Sequence, residues 1–226
     1  MPCATLHCRF IVMVEIDRPA AVETVVKLGG GVLTHSERFN QVLEAIAAAA
    51  QERRLLVVTG GGPFADVVRD MDRRVHLSDD AAHWMAVLAM DQYAHLVASR
   101  LRRGVIVAHV PEIVEALGTA SVPVLAPSRW LREADPLPHS WAVTSDSIAA
   151  WVAGAVGARR LVLVKPPGLQ LSEQTGATGC GAASPRAVER ELVDAYFTFA
   201  LPAHVTPVTV AADRVDALHS ALRGGA

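Results

Sequence analysis

Short runs rich in Val, Leu and Thr alternate with helix-length segments along most of the chain. The runs Thr24–Leu28, Leu55–Thr59, Val105–Ala108, Val122–Ala126, Leu161–Val164 and Pro207–Ala211 read as strands. They are apolar without alternation, so both of their faces need cover. Between them, Ser36–Arg53 carries Phe39, Val42, Leu43 and Ile46 at helical spacing. Asp79–Arg102, Glu112–Leu117, Asp146–Val156 and Asp213–Arg223 also read as helices, the last closed by Gly224. Asp79–Arg102 is apolar on several sides and is expected to be well buried. This alternation specifies an α/β fold: an open, mostly parallel sheet sandwiched between helices. Pro127–Thr144, with Pro136 and Pro138, is expected to cross the surface as a loop. Leu169–Ser184 reads as a flexible glycine-containing loop, and Pro185–Phe197 as a helix with Ser184 at its N-cap. No internal repeat is visible. One domain is expected over residues 24–226, preceded by a loose or misassigned segment 1–23 in which Met13 could be the initiator.

Charge narrows the function classes. The formal net charge is −2, which is unlike the basic footprint of a nucleic-acid binder. No uninterrupted run of 18 apolar residues occurs, so neither a membrane span nor a membrane partner is expected. Cys3, Cys8 and Cys180 are odd in number and widely spaced, which suits free thiols in a reducing cytoplasm. Of the 21 Lys and Arg residues only Lys27 and Lys165 are lysines. Where a generic surface cation would serve, this chain uses Arg, so the two compact ammonium charges merit separate attention.

Both lysines stand at strand ends. Lys27-Leu28-Gly29-Gly30-Gly31 closes the first strand, and glycines there let a backbone approach an oxyanion closely. Taken alone, the segment is better explained as a tight turn that needs glycine. Gly60-Gly61-Gly62-Pro63 follows the second strand and opens a helix, where free amides and the helix dipole favour phosphate. Two such turns on consecutive parallel strands would share one sheet edge, where ligands of open α/β sheets bind. His139-Ser140-Trp141 leads to Thr144-Ser145-Asp146-Ser147 at a helix start. Asp146 reads either as a helix-start carboxylate or as a partner for the lysines, and His139 either as a loop histidine or as a substrate contact. Lys165 precedes Pro166-Pro167-Gly168, a rigid turn, and reads either as a surface lysine or as a site residue.

Together these segments resemble the amino acid kinase family, across about residues 24–168. The resemblance rests on Lys27-Leu28-Gly29-Gly30, Thr59-Gly60-Gly61-Gly62, Thr144-Ser145-Asp146-Ser147 and the strand ending at Lys165. Within the family, Gly60 to Arg69, the helix with His83, and His139-Ser140-Trp141 are most similar to the branch that phosphorylates aminomethylfuran-methyl phosphate. The resemblance implies transfer from ATP to a small phosphomonoester in one-carbon carrier biosynthesis, with Mg²⁺ on the ATP phosphates. It assigns Lys27, Asp146 and Lys165 to catalysis, and Gly29, Gly30, Gly31, Gly60, Gly61, Gly62 and Gly168 to the phosphate channel. Arg69 would take the acceptor's phosphate, and His83, His139, Trp141, Thr144 and Ser145 would contact the acceptor. A homo-oligomer is also implied. The alternatives are a carboxylate or nucleotide acceptor, or a binding protein on this fold that has lost catalysis. Gly31 stands where the family often has serine, and Pro166-Pro167-Gly168 where it often has valine-aspartate-glycine.

Overall fold

The computed structural model describes residues 21–168 and 192–224. The expected loop Leu169–Ser184, residues 1–20 and most of the expected helix Pro185–Phe197 lie outside them. The described residues contain one sheet of six strands: β1 (Thr24–Leu28), β2 (Leu55–Thr59), β3 (Gly104–Val107), β4 (Val122–Leu125), β5 (Arg160–Lys165) and β6 (Thr206–Ala211). Its order is β3-β4-β2-β1-β5-β6 and every pairing is parallel. The helices are α1 (Ser36–Ala49), α2 (Gly62–Val75), α3 (Asp79–Arg100), α4 (Val110–Gly118), α5 (Ser128–Ala134), α6 (Ser145–Ala155), α7 (Phe197–Ala200) and α8 (Val215–Arg223). This is the sandwich that the alternation of the sequence calls for.

Strand parity divides the core in two. Val26, Leu28, Val57, Val162 and Val164 face a layer containing α1 and α8, where Val42, Ile46 and Leu222 are buried. Val25, Val58, Leu161 and Leu163 face the opposite layer, against Ile148, Ala149 and Val152 of α6. Helix α3 contributes to both clusters through Tyr93 and Val97 on one and Val87 and Met90 on the other. Its outer side still leaves Met85 and Leu88 exposed, so the expectation of a well-buried helix holds for part of its circumference.

Two expected elements differ. The stretch read as a surface loop from Pro127 to Thr144 contains α5. Ser128 N–H donates to Asp91, Leu131 is buried, and Trp130 packs on Trp151 at a centroid distance of 5.0 Å. Tertiary docking thus holds a seven-residue helix that is too short to be stable alone. The expected helix Pro185–Phe197 is not helical over 192–196, and α7 begins only at Phe197. Here Asp194 is turned to a different use: its carboxylate accepts from the start of α6.

Candidate functional site

Register brings the two lysines to one face of the sheet. Lys27 pairs with Leu163 across β1 and β5, and Lys165 lies two residues farther along β5. Side chains repeat every second residue, so Lys27, Leu163 and Lys165 all point toward α6. Asp146 stands in the first turn of α6 and meets both of them. Its Oδ2 accepts from Lys165 Nζ at 2.7 Å. Its Oδ1 lies 2.8 Å from Lys27 Nζ as an ion pair. All three side chains are nearly buried, with exposures of 5% for Lys27, 8% for Asp146 and 11% for Lys165.

Burial alone would raise the Asp146 pKa, but the two ammonium charges outweigh it and hold the carboxyl below its ordinary range. Burial lowers the pKa of Lys165, and the Lys27 charge adds to this, against the opposing pull of Asp146 and Asp194. Within this group of three, two cations and one carboxylate leave a formal excess of one positive charge in a nearly dry place, offset in part by the charge of Asp194. Such an excess is unfavourable until an anion joins it.

The glycines are required by contact as well as by conformation. A Cβ on Gly30 would lie 2.5 Å from Gly62 Cα, so the two turns touch backbone to backbone. A Cβ on Gly29 would meet Val164 O at 2.6 Å, and Gly62 has φ +55°. Beside this contact opens a cavity of about 280 Å³, walled in part by Lys27, Gly30, Gly31, Gly61 and Gly62. Gly61, Gly62 and Pro63 bring the start of α2 to the same cavity. Gly60 lies beneath, close to Ser145 Oγ, and Gly168 is spent elsewhere, its N–H donating to Asp213 at 3.0 Å.

The far wall of the cavity carries Arg69, His83, Ser140 and Trp141. Trp141 is held by Asp72, whose Oδ2 accepts from Nε1 at 2.8 Å, and the Arg69 guanidinium sits 5.3 Å from the Trp141 ring centroid. Arg69 also pairs with Asp66 at 2.9 Å. His139 does not wall the cavity. Its ring nitrogens are engaged by Asp80 at 2.7 Å and Asp135 at 2.9 Å, and its ring stacks on His83 at 4.1 Å. Burial and neighbouring His139 lower the His83 pKa to about 4, so the imidazole facing the cavity is neutral at pH 7. Ser145 and Thr144 line the cavity, but the Thr144 hydroxyl donates to Asp194 at 2.7 Å.

Asp194 is the residue that sequence reasoning missed. It accepts from Thr144 N–H at 2.9 Å, from Ser147 N–H at 3.0 Å, and from the Ser147 hydroxyl. It therefore fixes the helix start that carries Asp146. A lone acid 48 positions along the chain from Asp146 gives no local signal. Asp72, which anchors Trp141, was equally silent.

Residues 23–166 match the amino acid kinase family. The chain belongs to the amino acid kinase family. It is 29% identical over 143 residues to the [5-(aminomethyl)furan-3-yl]methyl phosphate kinase of Methanocaldococcus jannaschii, a match covering 62% of this chain and 63% of that relative. Among solved structures, it is similar to uridylate kinase from Archaeoglobus fulgidus, with TM-score 0.65 and 19% identity over 91% of this chain and 97% of the other. It is also similar to UMP kinase from Bacillus anthracis, with TM-score 0.60 and 13% identity over 92% and 93%. These structures show that the chain shares their fold over about nine tenths of its length.

Proposed function

We propose that this protein transfers the γ-phosphoryl group of ATP to the phosphate of a small phosphomonoester, with [5-(aminomethyl)furan-3-yl]methyl phosphate as the acceptor. The observation that carries the phosphoryl-transfer reading is the buried Lys27–Asp146–Lys165 cluster, from which Lys27 reaches the wall of a glycine-lined cavity while Asp146 and Lys165 stand behind it. The acceptor's phosphate oxygen attacks the γ-phosphorus, the bond to the ADP leaving oxygen breaks, and a diphosphate ester and ADP result. Such transfer depends on position and charge compensation. Lys27 is held to Asp146 by one short ion pair, so the N–H groups of its ammonium that are not used there can turn to the transferred group. Lys165 neutralises the donor phosphates, and Asp146 keeps the two ammonium groups apart and in place. The glycines let the two turns close on each other, which brings their backbones together at the cavity wall where a phosphate would lie. Mg²⁺ on the ATP phosphates would supply further charge compensation.

The acceptor end supports a phosphorylated, ring-bearing ligand. Arg69 suits a phosphate, Trp141 offers a flat face, and neutral His83 offers a hydrogen-bonding edge. The furan acceptor rests on the similarity to the Methanocaldococcus jannaschii enzyme. The test is a mass-spectrometric screen with ATP and Mg²⁺ against the furan phosphate, UMP and small carboxylates. Formation of the furan diphosphate is expected. An inert furan phosphate beside a productive second acceptor overturns the acceptor, and binding of ATP with no transfer to any of them overturns the kinase reading. A homo-oligomer belongs to the same proposal, supported by Val67, Met71 and Val75, which are exposed at four-residue spacing along α2.

A further inference from the structure

At the end of the sheet opposite the glycine turns, the chain gathers arginines. Arg53 and Arg54 precede β2, Arg159 and Arg160 lead into β5, and Arg223 ends α8. All five line one cleft of about 520 Å³ together with the single acid Glu23. The chain as a whole has a net charge of −2, so this concentration runs against its overall balance.

The local partners leave most of that charge uncompensated. Glu23 is shared by Arg53 at 3.3 Å and Arg54 at 3.4 Å, both long contacts at partly exposed groups. Exposed pairs of this kind hold each other only weakly. Arg160 donates to Ala221 O at 3.2 Å, and Arg223 reaches Glu52 only at 4.0 Å. Helix C-termini attract cations, which accounts for these two. Arg53 likewise follows the end of α1, its N–H donating to Ala49 O, and it and Arg160 both reach the end of α8. A single point beside Gly224 Cα lies 3.8 Å from Arg160 Nη2 and 4.0 Å from Arg53 Nη2. Positive charges gathered round one cleft repel one another, and an anion among them relieves that repulsion.

We infer that this cleft is a second anion site, which takes a diphosphate-class ligand by its phosphates and not by its organic part. The guanidinium fork matches phosphate geometry, and several forks around one cleft favour more than one phosphate. The floor adds the Thr24 and Thr206 positions, and Leu222 is the one lining residue with an apolar side chain. Among the described residues, none lining this cleft offers an aromatic face for a base. Two sources would present this chemistry, a nucleoside diphosphate or a diphosphate ester, and inorganic pyrophosphate carries the part they share. The site is independent of the kinase reading.

The test is calorimetric titration of inorganic pyrophosphate, ADP and methyl diphosphate into the full chain. Lys27→Ala is used as the background, to weaken the cavity at the other end of the sheet. Arg53→Gln/Arg159→Gln is compared in that background, with Arg54→Gln as a milder second variant and far-ultraviolet circular dichroism as the folding control. Pyrophosphate is expected to bind the Lys27→Ala protein, and its affinity to fall tenfold or more in the double variant and less in Arg54→Gln. Binding should weaken steeply with added salt. Comparable affinity for all three ligands supports recognition by phosphates. ADP or methyl diphosphate binding tightly while pyrophosphate does not would overturn it. Absence of pyrophosphate binding in the Lys27→Ala protein, or binding unchanged by loss of the arginines, overturns the site itself.

Discussion

A carboxylate between two ammonium groups sets the behaviour of the site with pH. Asp146 is held below the ordinary carboxylate range, so the folded state binds its proton less readily than the unfolded chain. Its contribution to stability is complete above the unfolded value, about 3.9, and is lost as pH falls through the lower folded value. Lys165 works in the opposite sense. Its folded pKa is lowered, so between that value and the ordinary lysine value near 10.4 the unfolded chain holds more protons. Stability therefore rises with pH across this window while the charge that Lys165 offers to a phosphate disappears. A pH profile of phosphoryl transfer should lose its alkaline limb below the ordinary lysine range, with no drop in melting temperature over the same interval. Coincident loss of activity and fold would refute the assignment. For Lys27, replacement by Ala should reduce kcat by about a hundredfold or more, as removal of a transition-state donor does; steady-state kinetics with an unchanged kcat would remove it from catalysis. Tyr93 gives a separate test of burial. Its hydroxyl is buried with no partner among the described residues, and burial pushes its pKa up. Tyr93→Phe removes an unsatisfied polar group at nearly constant shape, so thermal unfolding should show stability unchanged or raised by about 1 kcal/mol.

Helix α6 shows how an element carries the chemistry of its first turn. Thr144 caps it weakly, accepting from Asp146 N–H at 3.4 Å, and Asp194 supplies the stronger anchor from 50 residues away. Asp194→Asn keeps the shape but removes the charge that faces both the helix start and Lys165. Since that charge raises the Lys165 pKa, its loss should move the alkaline limb of the activity profile to lower pH and reduce kcat. A destabilised protein with an unmoved limb would mean that Asp194 only caps the helix. The glycine turns give a second case. A Cβ on Gly31 would lie 2.6 Å from Pro166 Cγ, so the two departures from the common family pattern touch each other. Local sequence made these turns and α6 legible, because glycine clusters and helical spacing are short-range signals. It left Asp194, Asp72 and the contact between Gly31 and Pro166 hidden, because each depends on a partner from a remote segment. For the same reason Ser128–Ala134 read as a loop: its helix owes its stability to Asp91, Trp151 and the core beneath Leu131.

Across the whole molecule the parallel sheet separates two ends of different character. The C-terminal ends of the strands hold the glycine turns and the lysines, and the N-terminal ends hold the arginines. The alternating pattern of the sequence established the sheet, its layers and the edge where the turns meet, since those follow from strand and helix order alone. It did not reveal which surfaces are left uncovered, because exposure depends on how helices lie over one another. Helix α2 is the clearest instance: Val67 is 57% exposed and Val75 63%, with Met71 between them on the same side. Apolar side chains standing four residues apart on a helix form one stripe, and a stripe of this kind is costly to leave in water. Helix α3 packs against α2 and adds exposed Met85 and Leu88. Our reading is that a second copy of the chain covers this surface. Light scattering coupled to size exclusion should then give a multiple of the 24.0 kDa chain mass, and Val67→Glu/Val75→Glu should shift it to the single-chain value. These substitutions point away from the core, so the variant should retain its circular dichroism spectrum. A single-chain mass for the unaltered protein would rule out the assembly, and an oligomer that persists in the variant would place its interface elsewhere.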